Sequence, residues 1–437
     1  MKDGFTPIEI IVAKILAEIE NKRLSLRTLM EEYFSKHPDE SVVRGVVKAY
    51  TISVLKRYRI IDTIAEKVLG INLEGLSPFE RNIVRSLIYE AKFRNVKLQR
   101  ILKISKVLRN VSITRQDCLR IKKTPIKELL REFRGSERIG IEYSIPTWIV
   151  DYVIGILGKR EAFKLFKAFN KKPPVWIRVN TLLIKPEKLF ELLQKKGIYL
   201  EYDKDFRELL KVVDGHDKIV KLLEHKNGLF YIQDKSSLLV GYTLSPNALS
   251  KIWDMCSAPG GKTSHVYQLT EGKVSIIATE WKSNRVRNMV EILRRLHNYG
   301  VEIINSDAKK PPFNTKFDGI ILDPDCSSLG RLGHSPEIRL WLEKDIICRY
   351  QQQQRRLLET ASRYLKRNGV IIYSTCTLTL EENEQNVLWA LDNLPLELEN
   401  VEPRIGLPGL LGLDKTQRLY PHVHSTVGFF VAKFRYQ

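Results

Sequence analysis

The spacing of apolar residues changes character twice along this 437-residue chain. Up to about residue 130 it has the period of a helix. Ile8, Ile11, Leu16, Ile19 and Leu24 form one apolar stripe; Val47, Ile52, Val54, Leu55, Ile60 and Ile61 form another. Leu76-Ser77-Pro78-Phe79-Glu80 reads as a helix start, with Ser77 as N-cap, Pro78 in the first turn and Glu80 three residues after the cap. Gly135-Ser136 and Gly140 are expected to mark a linker. From 144 to 250 helix and strand are mixed. Pro146 opens a helix, Lys171-Lys172-Pro173-Pro174 breaks it, residues 175–180 read as a strand, and residues 186–196 as a helix. From Lys251 the pattern is strand, turn, helix, repeated, with strands expected at 252–255, 274–279, 302–305, 319–322, 370–374 and 429–434. That alternation predicts an α/β fold: a parallel sheet covered by helices on both faces. Ligands of such folds sit at the C-terminal ends of the strands, where strand order reverses. Three domains are expected: an all-helical one over 1–135, a small α+β subdomain over 140–250, and a Rossmann-like domain over 251–437.

Charge changes the picture of the helical part. The net charge is +21 and the pI about 9.6, which favours a polyanionic partner such as nucleic acid. Residues 92–138 hold fifteen Lys or Arg against four Asp or Glu, interleaved with Ile, Leu and Val. Helices with a basic outer face are therefore expected rather than a basic tail. No run of 18 apolar residues is present, so no transmembrane helix is expected, and the first residues lack the pattern of a secretory signal. Five cysteines stand far apart, at 118, 256, 326, 348 and 376. An odd, scattered set argues for a reducing compartment, here the cytoplasm, and none has zinc-ligand spacing, so no metal is expected.

Two clusters carry candidate chemistry. Cys256-Ser257-Ala258-Pro259-Gly260-Gly261-Lys262-Thr263 follows the first expected strand of the last domain and opens a helix. Adjacent glycines let a backbone approach a ligand, and a helix N-terminus offers free N–H groups. A phosphate-binding P-loop would need glycine where Cys256 stands, and no G-x-G-x-x-G is present. Glu280 ends the second strand, nineteen residues after Gly261, at the spacing of an acid that holds ribose hydroxyls. Asp307, after the third, could bracket an adenine amino group. Loop and acids together fit a nucleoside cofactor without a triphosphate. The second cluster is Asp323 with Cys326 after the fourth strand and Cys376 after the fifth. Neighbouring parallel strands would bring these to one rim. A lone buried cysteine is usually only a small hydrophobe; two at one polar rim read as reactive.

With these residues in view, the chain resembles the RsmB/Sun (Fmu) family of RNA cytosine-5 methyltransferases. The likeness is carried by the loop 256–263, by Ser374-Thr375-Cys376 with Glu381-Glu382-Asn383-Glu384 after it, by Arg178-Val179-Asn180, and by Gln233-Asp234-Lys235-Ser236-Ser237. His334-Ser335-Pro336-Glu337-Ile338-Arg339 and the final 428–434 also match. Residues 54–62 with Leu76-Ser77-Pro78 and Arg81 resemble the NusB-like helical RNA-binding domain fused to the Sun enzymes. The resemblance implies S-adenosylmethionine as cofactor and RNA as partner, ribosomal RNA of the small subunit in the fused form, with the protein acting as a monomer. It assigns the nucleophile to Cys376 and product release to Cys326. It places Cys256, Ser257, Ala258, Pro259, Gly260, Gly261, Lys262, Glu280, Asp307, Asp323 and Arg285 around the cofactor. In that chemistry a thiolate adds to C6 of cytosine and makes C5 enamine-like, while an acid near N3 and N4, Asp323, stabilises the added electron density. A free thiol near pKa ~8.5 is mostly protonated at neutral pH, so a local positive charge is expected beside the nucleophile. Three positions depart from the family. Asp325 stands where proline usually precedes Cys326, and a carboxylate there is expected to raise that thiol's pKa. Glu280 replaces the commoner Asp, and Ser257 the first alanine of the loop. The alternatives are the same chemistry on tRNA, or an RNA-binding assembly factor that kept the fold without catalysis. A DNA-type enzyme would use a fourth-strand Pro-Cys as nucleophile, which Asp325-Cys326 and the intact Thr375-Cys376 oppose.

Overall fold

A computed structural model describes residues 6–94 and 96–437. By compactness it divides into two units, residues 1–171 with 332–342, and residues 172–331 with 343–437.

The first unit is helical among its described residues. The first apolar stripe becomes the helix Ile8–Lys22, which buries Ile11, Ile15, Leu16 and Ile19. Leu24 falls outside it, because Arg23 turns into the left-handed region and ends the helix, leaving Leu24 exposed. The second stripe is split between Arg44–Leu55 and Tyr58–Leu69. The expected start at Ser77 is present: its hydroxyl accepts the Glu80 N–H at 3.3 Å, with Pro78 in the first turn of Pro78–Tyr89. The basic stretch forms the helices Leu98–Ser105 and Arg115–Lys123 and the turns after them. Ile101, Ile104, Cys118 and Ile121 point into the core, while Lys103, Lys106, Arg109 and Arg115 are exposed. The expected linker is instead the helix Gly135–Tyr143. Its Gly140 is there for packing: a Cβ would run into the Arg59 guanidinium and stand 2.7 Å from the Ile145 carbonyl oxygen.

The second unit holds two sheets. β1 (Val175–Val179), β2 (Tyr199–Tyr202), β3 (Leu209–Asp214) and β4 (Phe230–Ile232) form an antiparallel sheet in the order β2-β3-β1-β4. The larger sheet contains β5 (Lys251–Asp254), β6 (Ser275–Glu280), β7 (Val301–Asn305), β8 (Phe317–Leu322) and β9 (Leu365–Thr375), all parallel. β10 (Leu396–Glu399), β11 (Leu407–Pro408), β12 (Gln417–Leu419) and β13 (Phe429–Tyr436) extend it with antiparallel pairing, giving β11-β12-β13-β9-β8-β5-β6-β7 with β10 beside β13. The inner strands read as apolar runs because both faces are covered. Trp253, Ile320, Leu322, Ile371 and Tyr373 enter one core, with Leu357 and Leu358 of the helix Asp345–Arg363. Their neighbours Ile252, Ile321 and Ile372 enter the other, with Leu238 and Val240 of the helix Lys235–Leu244. The chain runs from β5 outward through β6 and β7, then returns to β8 on the other side of β5. The carboxyl ends of β5, β6 and β8 thus frame the crevice where ligands of doubly wound folds are held.

Candidate active site

Three loops build the site, each following a strand of the large sheet. After β5, the chain must turn into the helix Gly261–Leu269. Ser257 anchors the turn: its N–H and hydroxyl both donate to the Thr279 carbonyl, at 3.0 and 2.9 Å. Gly260 has φ 97°, a left-handed conformation that favours glycine. Both glycines also stand close to neighbouring side chains. A Cβ at Gly260 would meet Leu293 and Met289 at 3.2 Å, and one at Gly261 would meet Tyr231 at 3.1 Å and Gln233 at 3.3 Å. Both glycines thus make room for neighbouring protein.

Cys256, Glu280, Arg285, Asp307 and Asp325 line one cleft of about 250 Å³, together with Trp281 and Ala308. Glu280 is buried and fixed: one carboxylate oxygen accepts the Lys282 N–H at 3.0 Å, and the other pairs with Arg285 Nη1 at 3.2 Å. Arg285 also donates from Nη2 to the Ala258 carbonyl at 2.7 Å, which ties the β6 loop to the β5 loop. Asp307 accepts the Lys309 N–H at 3.0 Å and stays half exposed. Burial pushes the Cys256 thiol well above its ordinary pKa, and the charges of Asp325, Asp254, Glu280 and Asp323 add to that. Ser257, Ala258, Pro259, Gly260, Gly261 and Lys262 shape the turn behind the cleft rather than lining it. Asp323 stands outside the cleft too. It takes an ion pair from Lys262 and a hydrogen bond from the Ser374 hydroxyl at 2.9 Å, so it joins the β5 loop to the end of β9.

The two cysteines meet. Parallel pairing of β8 with β9 puts their carboxyl ends side by side, and Cys326 Sγ lies 3.2 Å from Cys376 Sγ. The Cys376 thiol is lowered to about 7. Its hydrogen bond with Cys326 is the main cause; the Arg331 charge and the Ser328 hydroxyl, 3.5 Å away, help, while burial and Asp323 oppose. Arg331 is the positive charge that the sequence left unnamed. Cys326 moves the other way, well above its ordinary value, because it is the donor to Cys376 and is buried. The expectation that Asp325 raises this thiol is corrected by the geometry. The Asp325 carboxylate faces Arg285 at 3.4 Å and Lys282 at 3.9 Å, and Cys326 responds to Cys376 and Glu382 instead.

Several residues in this framework carried no role in the sequence. Glu382 is wholly buried between the cysteine loops. It accepts the Ser327 N–H at 2.9 Å, the Ser327 hydroxyl, the Gln354 amide at 3.0 Å and the Thr379 hydroxyl at 2.8 Å. Asn383 accepts from the Thr375 hydroxyl and donates to the Thr377 carbonyl at 3.2 Å. Glu384 pairs with the buried Arg418, whose Nη1 donates to the Leu378 carbonyl at 2.9 Å. The run 382–384 therefore clamps the chain on both sides of Cys376. Arg178 supports the start of the helix Gly261–Leu269 from β1, donating to the Gly261 carbonyl at 3.0 Å and to the Ser264 hydroxyl at 2.6 Å. The signal for these residues was the short motifs themselves; their partners lie too far away in sequence to be read.

Residues 241–435 match the model of 16S rRNA methyltransferase RsmB/F, and residues 145–217 match the ferredoxin-like domain of RsmF/B-like methyltransferases. The tRNA (cytosine(72)-C(5))-methyltransferase of Pyrococcus horikoshii is 41% identical over 218 residues, 49% of this chain and 54% of that protein. The chain thus spans about half the length of this relative. Ribosomal RNA small subunit methyltransferase B of Proteus mirabilis is 25% identical over 400 residues, 88% of this chain and 91% of that protein. The crystal structure of NSun6 from Pyrococcus horikoshii with SFG superposes with a TM-score of 0.61 at 30% identity, over 66% of this chain and 98% of that one.

Proposed function

This chain belongs to the RsmB/F family of RNA cytosine-5 methyltransferases, and on that premise we propose that it transfers a methyl group from S-adenosylmethionine to C5 of a cytosine in small-subunit ribosomal RNA, in the cytoplasm. The observation that carries the reading is the thiol pair: two cysteines 3.2 Å apart at adjacent strand ends, with Cys376 lowered to about 7. Near neutral pH a large fraction of such a thiol is thiolate, the form that adds to C6. Asp323, in the role of acid, would give its proton to the electron density that this addition sends toward N3, and Lys262 and Ser374 would hold the carboxylate left behind. Cys326, whose Sγ lies 3.2 Å from that of Cys376, is the group placed to serve release of the adduct.

The donor set of the cleft fits the cofactor. Glu280 has two of its roughly four lone-pair sites engaged, which leaves acceptors for a ribose diol. Asp307 offers an acceptor to an adenine amino group, and Arg285 ties the two loops on which the nucleoside would rest. The bound cofactor supplies the electrophilic methyl group. RNA is drawn by the basic helices over 92–138, the NusB-like part of the chain, which we assign to residues 1–135; the α+β subdomain over 140–250 and the catalytic domain over 251–437 complete the enzyme.

Ribosomal RNA is preferred over tRNA because the match to the small-subunit enzyme extends over the helical part, whereas the tRNA enzyme matches about half of the chain. The test is incorporation of a tritiated methyl group from S-adenosylmethionine into small-subunit rRNA and tRNA transcripts made without modifications. Label in 5-methylcytosine of the rRNA is expected. Label in tRNA alone would move the substrate, and no label in either would favour a non-catalytic assembly factor.

A further inference from the structure

The carboxylate at 325 has no part in the thiol chemistry, and its placement calls for another role. Asp325 follows β8, whereas Lys282 and Arg285 follow β6; β5 lies between those strands. The pairs Asp325–Arg285 and Asp325–Lys282 therefore cross the cleft over the end of β5. Asp325 lines that cleft, and among the carboxylates it is the one whose charge weighs most on the Cys256 thiol at the floor. The cleft is lined by three carboxylates, Glu280, Asp307 and Asp325, against two cations, Arg285 and Lys309. Lys282, which is not among the lining residues but pairs with Asp325, brings the count level, so that without Asp325 one positive charge would be in excess.

The ligands differ by that same unit. S-adenosylmethionine carries a sulfonium, an ammonium and a carboxylate, for a net charge of +1. When the methyl group leaves, the sulfonium becomes a thioether and the product, S-adenosylhomocysteine, is neutral overall. We propose that Asp325 is a specificity-determining residue of the cofactor cleft, which favours the cationic donor over its neutral product and so relieves product inhibition. The inference rests on the cofactor assignment above. Physically it needs only Coulomb attraction across a partly screened cleft. Asp325 is about half exposed, so one such interaction is worth up to roughly fivefold in affinity. Removing its charge also leaves Lys282 without this counter-charge and Arg285 with Glu280 alone, which pushes in the same direction.

The experiment is calorimetric titration of the full chain with S-adenosylmethionine and with S-adenosylhomocysteine, comparing wild type, Asp325→Asn and Asp325→Glu. Asp325→Asn should lower the preference for the donor by about three- to fivefold, mostly through weaker donor binding. Asp325→Glu should keep the wild-type ratio, and the difference between Asn and wild type should shrink as salt rises from about 0.05 to about 0.5 M. An equal loss for both ligands would show that Asp325 only places Arg285, and an unchanged ratio would show that its charge is not felt; either result overturns the proposal. If the wild type binds neither ligand, the cofactor assignment itself fails, and the two failures are thereby told apart.

Discussion

Glu382→Ala and Glu382→Gln should behave differently, and the difference can be worked out donor by donor. One carboxylate oxygen accepts two N–H groups, from Ser327 and from the Gln354 side chain. The Gln354 amide also donates to the Asp325 carbonyl at 3.1 Å, so it is its other N–H that depends on Glu382. The second oxygen accepts two hydroxyls, of Ser327 and Thr379, which can turn and become acceptors. Alanine strands the two N–H donors in a buried site, at about 1–3 kcal/mol each, or roughly 2–6 kcal/mol in all. In a unit of this size 1 kcal/mol moves Tm by roughly 2–4 °C, so a fall of at least about 4 °C is expected. Glutamine can face its carbonyl to the N–H donors and its NH2 to the hydroxyls, so its cost should stay within about 1 kcal/mol. Burial also holds the Glu382 carboxyl above the usual carboxylate range. The folded state therefore keeps this proton more tightly than the unfolded state. The stability it brings is present below the usual carboxylate pKa and is lost as pH rises through the raised value. Glutamine keeps it, so the mutant should gain on wild type as pH rises. Thermal melts followed by tryptophan fluorescence across a pH series read all three effects. If alanine melted within about 1 °C of wild type, or glutamine fell as far as alanine, the clamp described for this loop would be wrong.

Two further outcomes follow from the thiol pair and the basic helices. Alkylation of Cys376 by iodoacetamide, followed by mass spectrometry of its peptide, should rise with pH through a midpoint of about 7. Cys326→Ala removes the hydrogen bond that chiefly lowers this thiol, so the midpoint should move up, and a wild-type midpoint left in place would contradict the assigned cause. Replacing Lys103, Lys106 and Arg109 with glutamine should flatten the slope of log RNA affinity against log salt by about 0.7–0.9 for each phosphate that is no longer neutralised. An unaltered slope in filter-binding assays would place the RNA elsewhere.

The parallel strands were legible because two-sided burial writes them as apolar runs; 319–322 and 370–374 both lie inside longer observed strands. From those strands and the residues after them, the meeting of Cys326 with Cys376 could be read, since parallel neighbours align their ends. Short strands with one exposed face were not legible. Tyr199–Tyr202 buries only Leu200, and Leu407–Pro408 has two residues, so neither leaves a periodic trace. Gly140 was read as part of a linker and Gly261 as room for a ligand; that each also stands in close packing could not be read, because the crowding neighbour lies elsewhere in the sequence. Side-chain direction was also beyond reach. Asp325 is next to Cys326 in the chain, yet its carboxylate turns to Arg285, 40 positions earlier, and to Lys282. The same limit hid Arg331 as the charge beside Cys376.

The measurement closest to the central claim is covalent trapping of RNA. In the proposed mechanism attack by Cys376 on C6 precedes methyl transfer, and the target base leaves its stack to reach a pocket at this rim. Cys326→Ala should still allow attack and transfer but stall release, since it leaves Cys376 in place without its neighbour. Each variant is incubated with S-adenosylmethionine and substrate RNA at about pH 8, so that the Cys376 thiolate stays populated despite its upward-shifted midpoint, and run on denaturing gels. The account predicts a slow-migrating protein–RNA band for Cys326→Ala, and none for Cys376→Ala or the double variant. A band with Cys376→Ala instead would reverse the roles of the two cysteines and contradict the account.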